Sequence, residues 1–477
     1  MQKYLENHWR KFNFGIDIFG LDLRSLAVLR IGLALIIMTD LISRGQDINA
    51  YYTEAELLSR ETLAQEFFAP WYWLSQLIND HLIVQVFLLL LSFLSALSLL
   101  VGYRTRIAII ATWFLNIFVQ HQNNTSIFAG DDILQGILLL TMFLPLGCAY
   151  SMDSALNSSI KPLPKQVISG ATVIFIVQLI FIYTWSALYR TTSEFWWTNE
   201  DAVYYFLDLH QYVTELEHFL LGFPLSILQI FTLAALIIKW IGPLIILIPF
   251  RTSFFRCVAI ISFIVLHIGF ELSFSIGLLS YLSIVYWLTL IPTKVWDWGS
   301  KLIRKQPQQG LTIYYDADCG FCKKVVYLIR TFLILPGTPL LIAQSNESIY
   351  ADMLEKNSWV VVDWQENRHY KFEAICYVVS LSPILYFLES ILRWQPIMNG
   401  GTKFYQMIAS NRKVAGNFTR PFKFRPLTAK TSLPVNIIAL SLMFLYYCLI
   451  IDALHDYPTL FSSTIINVAP LLQLCCP

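Results

Sequence analysis

The sequence predicts a polytopic α-helical membrane domain of about eight spans, a cytoplasmic α/β module, and at least one further span near the C-terminal end. Three observations predict it. Of 477 residues, 56% are hydrophobic and only 14% charged, a composition suited to lipid rather than water. Apolar runs of span length are separated by loops in which basic residues recur on every second turn of the chain. One stretch, 311–425, leaves that pattern for alternating short strands and helices around two cysteines three apart.

Taken in order, 25–42 reads as the first span, entered through Arg10, Lys11 and Arg24. A polar loop follows, with an amphipathic helix at 54–68 and an interfacial aromatic group, Trp71, Tyr72 and Trp73. Spans two and three, 81–101 and 107–119, are joined across Arg104 and Arg106; the second of them runs out at His121. Span four, 131–146, opens on Asp131 and Asp132, and span five, 167–188, follows Lys161 and Lys165. The loop 190–222 is acidic and aromatic. Span six, 223–250, carries Lys239 and is kinked at Pro243. Spans seven and eight, 257–270 and 276–291, meet at a short turn near Glu271. Every basic loop falls on one side of this ladder, which the positive-inside rule makes cytoplasmic. The chain is read as a multi-pass protein of the cell's plasma or inner membrane.

The domain division is therefore 1–300 for the membrane domain, 311–425 for the module and 433–474 for the C-terminal span or spans, with 433–451 as a ninth crossing and 459–474 short enough to lie at the interface. Within the module the β-branched and aromatic run 311–315 reads as a strand, 316–320 as a turn and 325–335 as a helix. A strand at 339–343, a helix at 348–356, paired strands at 359–363 and 369–372, and a packed helix at 374–394 complete an α/β sandwich of thioredoxin type.

The module holds the one stretch that spells out chemistry. Cys319 and Cys322 stand at a strand-to-helix turn, where the first helical N–H groups and the helix dipole favour a thiolate. Cys319 is the nucleophile on this reading and Cys322, one turn on, the resolving thiol, with Asp316 and Asp318 tuning the pair or holding the turn. Half a zinc site and an inert pair are the alternatives, although no second CxxC or paired histidine follows within reach. A net charge of +1 argues against nucleic acid, and eight cysteines in so long a chain are no disulfide scaffold.

Polar residues within spans form a second candidate group. His267 and Glu271, four apart on one helix face, suit a proton relay or a hydrogen bond to a quinone, and equally an interhelical hydrogen bond or an acid at the membrane edge. Asp131 and Asp132 with His121 suit a cation or a headgroup, or simply a helix N-terminus. Lys239 at mid-span suits a ligand contact or a snorkelling cation, and Arg190 a substrate clamp or a salt-bridged lid. Cys475 and Cys476 in the tail read as unpaired.

Two resemblances attach to these residues. Tyr315-Asp316-Ala317-Asp318-Cys319-Gly320-Phe321-Cys322, with Tyr405 to Arg412 downstream, resembles the DCC family of thiol-disulfide oxidoreductases. That resemblance implies a thioredoxin-like fold with Cys319 and Cys322 as the redox pair. The first 300 residues resemble the HTTM domain, the membrane region shared with vitamin K-dependent gamma-carboxylase. The likeness rests on Gly130-Asp131-Asp132-Ile133-Leu134, on Leu144 to Gly147 through Tyr150-Ser151-Met152-Asp153, on Tyr183 to Arg190 with Trp196 and Trp197, and on Gly242-Pro243 and His267. The carboxylase's base is a lysine at the end of the Tyr183-type helix; here that place holds Arg190 or Tyr189, and an arginine stays protonated.

Together these readings imply a membrane-linked thiol-disulfide oxidoreductase acting on a protein or peptide thiol client. The alternatives are an HTTM enzyme that uses a quinone, hydroquinone or lipid to modify a peptide, and a non-enzymatic membrane maturation factor. The expected partners are lipid and the client; no metal is expected.

Overall fold

The computed structural model describes residues 14–46, 48, 52, 81–120, 129–209, 214–275, 277–303 and 306–456. The chain is mostly helical and divides into two units, one formed by 1–146, 164–293 and 429–477, the other by 147–163 and 294–428.

The first unit contains α1 (Leu23–Gln46), α2 (Leu82–Val101), α3 (Thr105–Gln120), α4 (Ala129–Thr141), α5 (Gly170–Thr191), α6 (Leu225–Ile245), α7 (Thr252–Ser273) and α8 (Leu279–Leu288). Among the described residues five helices, α1, α2, α5, α6 and α7, are long and apolar enough to cross a membrane; α3 and α8 are shorter apolar helices. Polarity runs from inside to outside in reverse of a water-soluble protein. On α2, Gln85 and Ser92 are buried while Ile83 and Phe87 are exposed, and the same holds for Thr112 and Asn116 against Ile107 and Ile110 on α3. Such a surface is stable only against lipid or another apolar partner.

Buried arginines close helix ends in this unit. Arg30 on α1 is fully buried and donates from Nη1 to the carbonyls of Leu99 and Leu100 at 3.0 and 2.7 Å, the last turn of α2. The same end is finished by Gly102 at φ 69°, whose N–H reaches Leu99 O. Arg256 on α7 likewise donates to Gly20 O at 3.1 Å and to Ile18 O, at the end of a short helix, Phe14–Phe19. The cation completes carbonyls that would otherwise face an apolar interior, and it sits at the negative end of the dipole.

The second unit is built on a four-stranded mixed sheet in the order β2-β1-β3-β4: β1 (Thr312–Tyr315), β2 (Leu340–Ile342), β3 (Val360–Val362) and β4 (Arg368–Tyr370). β1 runs parallel to β2, with Ile313 opposite Leu340, and antiparallel to β3, with Ile313 opposite Val361; β3 and β4 form a hairpin. Its helices are α9 (Thr293–Ile303), α10 (Gly320–Phe332), α11 (Glu347–Lys356), α12 (Lys371–Ser380), α13 (Gln395–Ser410) and α14 (Arg412–Phe418). Alternation along the strands splits the core over two faces. Ile313, Tyr315 and Val361 pack with Val326, Ala374 and Val378 on one; Val360 packs with Ala343, Ile349 and Met353 on the other. α15 (Leu433–Asp456) belongs to the first unit and covers the expected crossing at 433–451.

Three expectations need correction. The helix placed at 325–335 begins five residues earlier, because the Cys319 backbone and sulfur cap it from 319. The helix placed at 374–394 is broken: α12 ends at Ser380, Ser382 Oγ donates to Leu333 O at 2.9 Å, and a short helix, Leu388–Leu392, follows Pro383. Residues 147–163, read with the first 300, belong to the sheet unit. Ser158 N and Arg425 N make crossed backbone bonds to Arg425 O and Leu156 O, and Leu427 N donates to Asn157 Oδ1 at 3.0 Å. The segments 54–68, 71–73 and 459–474, with His121, Cys475 and Cys476, lie outside the described residues.

Candidate functional sites

The sheet unit positions its thiols by local hydrogen bonding. β1 ends at Tyr315, and Asp316 turns the chain: its Oδ1 accepts from Asp318 N at 3.1 Å and from Gln344 Nε2 at 2.7 Å. Gln344 Oε1 in turn accepts from Ala317 N at 3.2 Å, so an amide from the end of β2 clamps both sides of the turn. Cys319 N then donates to Asp316 O at 3.3 Å and starts α10 as its N-cap. Cys319 and Cys322 are joined as a disulfide with Cα atoms 5.2 Å apart, and Cys322 N donates to Cys319 Sγ at 3.2 Å. Both cysteines are half-buried, Asp318 is exposed, and Gly320 between them leaves open space where a side chain would stand.

The next turn is cationic. Lys323 Nζ lies 5.1 Å from the centre of the Phe424 ring, and Lys324 Nζ donates to Thr419 O at 2.6 Å. The other cysteine in this module, Cys376, is a free thiol buried on α12; burial pushes its pKa up and keeps it inert.

In the membrane unit three of the singled-out residues come together. Arg190 ends α5, is fully buried, and donates from Nη1 to Ser186 O at 3.1 Å and to Ser186 Oγ. Its guanidinium lies 5.0 Å from the ring centre of Trp196, which is buried in a single wide turn, Glu194–Thr198. Lys239 on α6 brings its ammonium 5.8 Å from the same ring and 5.2 Å from that of Phe270 on α7. His267, one turn before Phe270, faces it at 5.8 Å between ring centres and holds the Tyr183 hydroxyl at 2.8 Å through Nε2. Glu271 lies a turn further on, beside Tyr281. At Gly242 a Cβ would fall 2.4 Å from the Phe263 ring, so only glycine lets α6 approach α7 this closely.

Asp131 lies in a separate network. Its Oδ1 accepts from Arg44 at 3.0 Å and Gln120 Nε2 at 2.7 Å, Gln120 Oε1 accepts from Gln135, and Arg44 also pairs with Asp40. That network ties α1, α3 and α4. Asp132, its neighbour, points to the exposed side. Among the described residues no three or more His, Cys, Asp or Glu gather as a metal site.

Sequence reasoning passed over Tyr183, Arg44 and Gln120 as site residues. Tyr183 had a signal: Tyr183, Ser186 and Arg190 are spaced three and four apart, one polar stripe on an otherwise apolar helix. Comparison with protein-family models, curated proteins and solved structures returns no match for this chain.

Proposed function

We propose that the chain is a membrane-anchored thiol-disulfide oxidoreductase working through Cys319 and Cys322. On this reading the sheet unit is a thioredoxin-like module of DCC type facing the cytoplasm, and the helical unit is an HTTM-type domain of eight spans, with a ninth that follows the module in the sequence. The strand order β2-β1-β3-β4, with a crossover helix between β1 and β2 and a closing hairpin, supports the fold. The alternation of basic loops supports the orientation.

The observation that carries the chemistry is the capping of α10 by Cys319. In the disulfide the Cys319 sulfur accepts the Cys322 N–H at 3.2 Å at a helix N-terminus, and on reduction the same position favours its thiolate. In the reduced enzyme the Cys319 thiolate attacks one sulfur of a client disulfide; an S–S bond forms and the client's other sulfur leaves as thiolate. Cys322 then attacks Cys319 Sγ, forms the disulfide seen here, and releases the second client thiol. The client gains two electrons and the pair loses two, to be restored by a thiol reductant.

Replacing Cys322 by Ser should trap mixed disulfides on Cys319, visible as adducts on non-reducing gels and absent from the double Cys319→Ser/Cys322→Ser variant. Failure to form any such adduct would overturn the reading. A second reading, an enzyme that uses a quinone or lipid to modify a peptide, is supported by the buried gathering of Arg190, Lys239 and His267.

A further inference from the structure

We infer that α9 (Thr293–Ile303) lies in the surface of the bilayer and docks there on anionic lipid headgroups. Three observations carry this. The first is its open apolar side. Around the helix Val295, Trp296, Trp298, Leu302 and Ile303 fall on one half, and Lys294, Asp297, Ser300 and Lys301 on the other. Such a pattern normally belongs to a helix with a covered side, as on α10, whose Val326 is buried in the sheet core. On α9 no residue is buried. Trp298 is 64% exposed, Leu302 65% and Ile303 46%, so the described residues leave that side open.

The second observation is where the helix begins. Ile291, just before it, accepts at its carbonyl from Ser25 Oγ at 2.9 Å, and Thr293 Oγ1 donates to Asp22 Oδ2 at 2.6 Å. Asp22 and Ser25 stand at the start of α1, which is long and apolar enough to cross a membrane. A crossing helix ends at an interface, so α9 starts where hydrocarbon gives way to headgroups. Apolar side chains exposed at that depth have lipid within reach, and tryptophan beside lysine is the composition this layer favours.

The third observation is charge. Lys294 and Lys301 are exposed, two turns apart, and bracket Trp298 on one side of the helix. Arg304 and Lys305 follow directly in the sequence, and against these four cations the segment holds one acid, Asp297. Lysine stems can run along apolar surface while their ammonium groups reach headgroup phosphates. Each basic residue near an anionic leaflet strengthens binding about fivefold. A protein partner fits less well. Three side chains fall far short of the roughly 800 Å² that a stable interface buries on each partner, whereas insertion into lipid needs no matching surface.

The test uses the full chain reconstituted in vesicles of equal parts dioleoyl phosphatidylcholine and dioleoyl phosphatidylglycerol. Trp298, Leu302 and Ser300 are replaced in turn by photo-crosslinking benzoyl-phenylalanine, and adducts are read by mass spectrometry of the digested protein. Positions 298 and 302 should capture lipid, and position 300 several-fold less. Phosphatidylglycerol adducts should exceed phosphatidylcholine adducts about twofold or more, and Lys294→Gln/Lys301→Gln should lower that excess by half or more. Both lysines are exposed, so this variant should unfold in detergent at the wild-type temperature. Capture of protein in place of lipid at 298 and 302, or of nothing, would overturn the inference. So would equal lipid capture at all three positions, no preference between the two lipids, or a preference that survives loss of both lysines. None of these results bears on Cys319 or Cys322.

Discussion

The Tyr183 hydroxyl and His267 Nε2 lie 2.8 Å apart, both side chains buried, one on α5 and the other on α7. Aromatic rings enclose the pair. Tyr183 rests on Phe263 at 4.3 Å between ring centres, and Phe263 stacks on Trp287 at 4.0 Å with the planes 10° apart. With water excluded, His267 Nε2 depends on the Tyr183 hydroxyl. Tyr183→Phe keeps the packing and orphans Nε2. It should cost about 1–3 kcal/mol, read as a lowered unfolding midpoint in detergent. A midpoint equal to wild type would show that the hydrogen bond does not hold α5 to α7.

Arg30 makes the parallel case at a helix end. Replacing it by Met fills much of the volume but leaves the carbonyls of Leu99 and Leu100 without their cation. Loss of about 2–4 kcal/mol is expected, more than for Arg24, whose side chain stays 19% exposed in its pair with Asp22. Unfolding of both variants in the same detergent checks the ranking; equal effects would remove the capping role.

The sheet unit carries a pH-dependent tie between α11 and β4. Hydrogen bonds from Arg368 at 2.6 Å and Tyr370 at 2.7 Å hold the Asp352 carboxyl below its usual range. A depressed carboxylate pKa contributes stability above the unfolded value and loses it as pH falls through the folded one. Burial first, and then Asp352, push the Tyr370 phenol up to about 12. That contribution is complete below the unfolded tyrosine pKa and is lost as pH rises through about 12. The tie should therefore be flat across neutrality and weaken at both extremes. Asp352→Asn should flatten the acid limb of the stability profile, and Tyr370→Phe the alkaline one. An unaltered acid limb in Asp352→Asn would assign it to other carboxylates.

What the sequence disclosed was local. β1 was legible in the run from Leu311 to Tyr315, and the cysteine turn in Asp316 to Gly320, because each depends on neighbours a few residues away. The start of α10 was misjudged because Gly320, Phe321, Cys322 and two lysines show no apolar period, while a single sulfur supplies the cap. The apolar run after Ala374 hid a break made by Ser382 and Pro383. Buried charge was the hardest to read. Arg30 lies inside the first span and Arg256 beside a loop, and nothing local names their partners until carbonyls 69 and 236 residues away are brought to them. Asp131 was recognised as a helix-start acid, but nothing local announced Arg44 and Gln120 as its partners.

The last prediction concerns the ordering of the two thiols. Two influences oppose each other at Cys319: the N-terminus of α10 with the Cys322 N–H favours its thiolate, and the acids upstream disfavour it. Asp316 is turned away into the clamp with Gln344, and Asp318 is exposed, where solvent screens it. The helix terminus should prevail. Cys322, inside the first turn, donates its own N–H and receives no comparable bond at sulfur among the described residues. In the reduced full chain Cys319 should then be alkylated at lower pH than Cys322, as resolved by mass spectrometry of the tryptic peptides. Asp318→Asn should move Cys319 slightly further down. Asp316→Ala, which frees Gln344 and loosens the turn, should narrow the gap between the thiols. Both cysteines titrating together at the free-thiol value would show that the cap does not activate Cys319, and would leave the pair a structural cross-link of the turn.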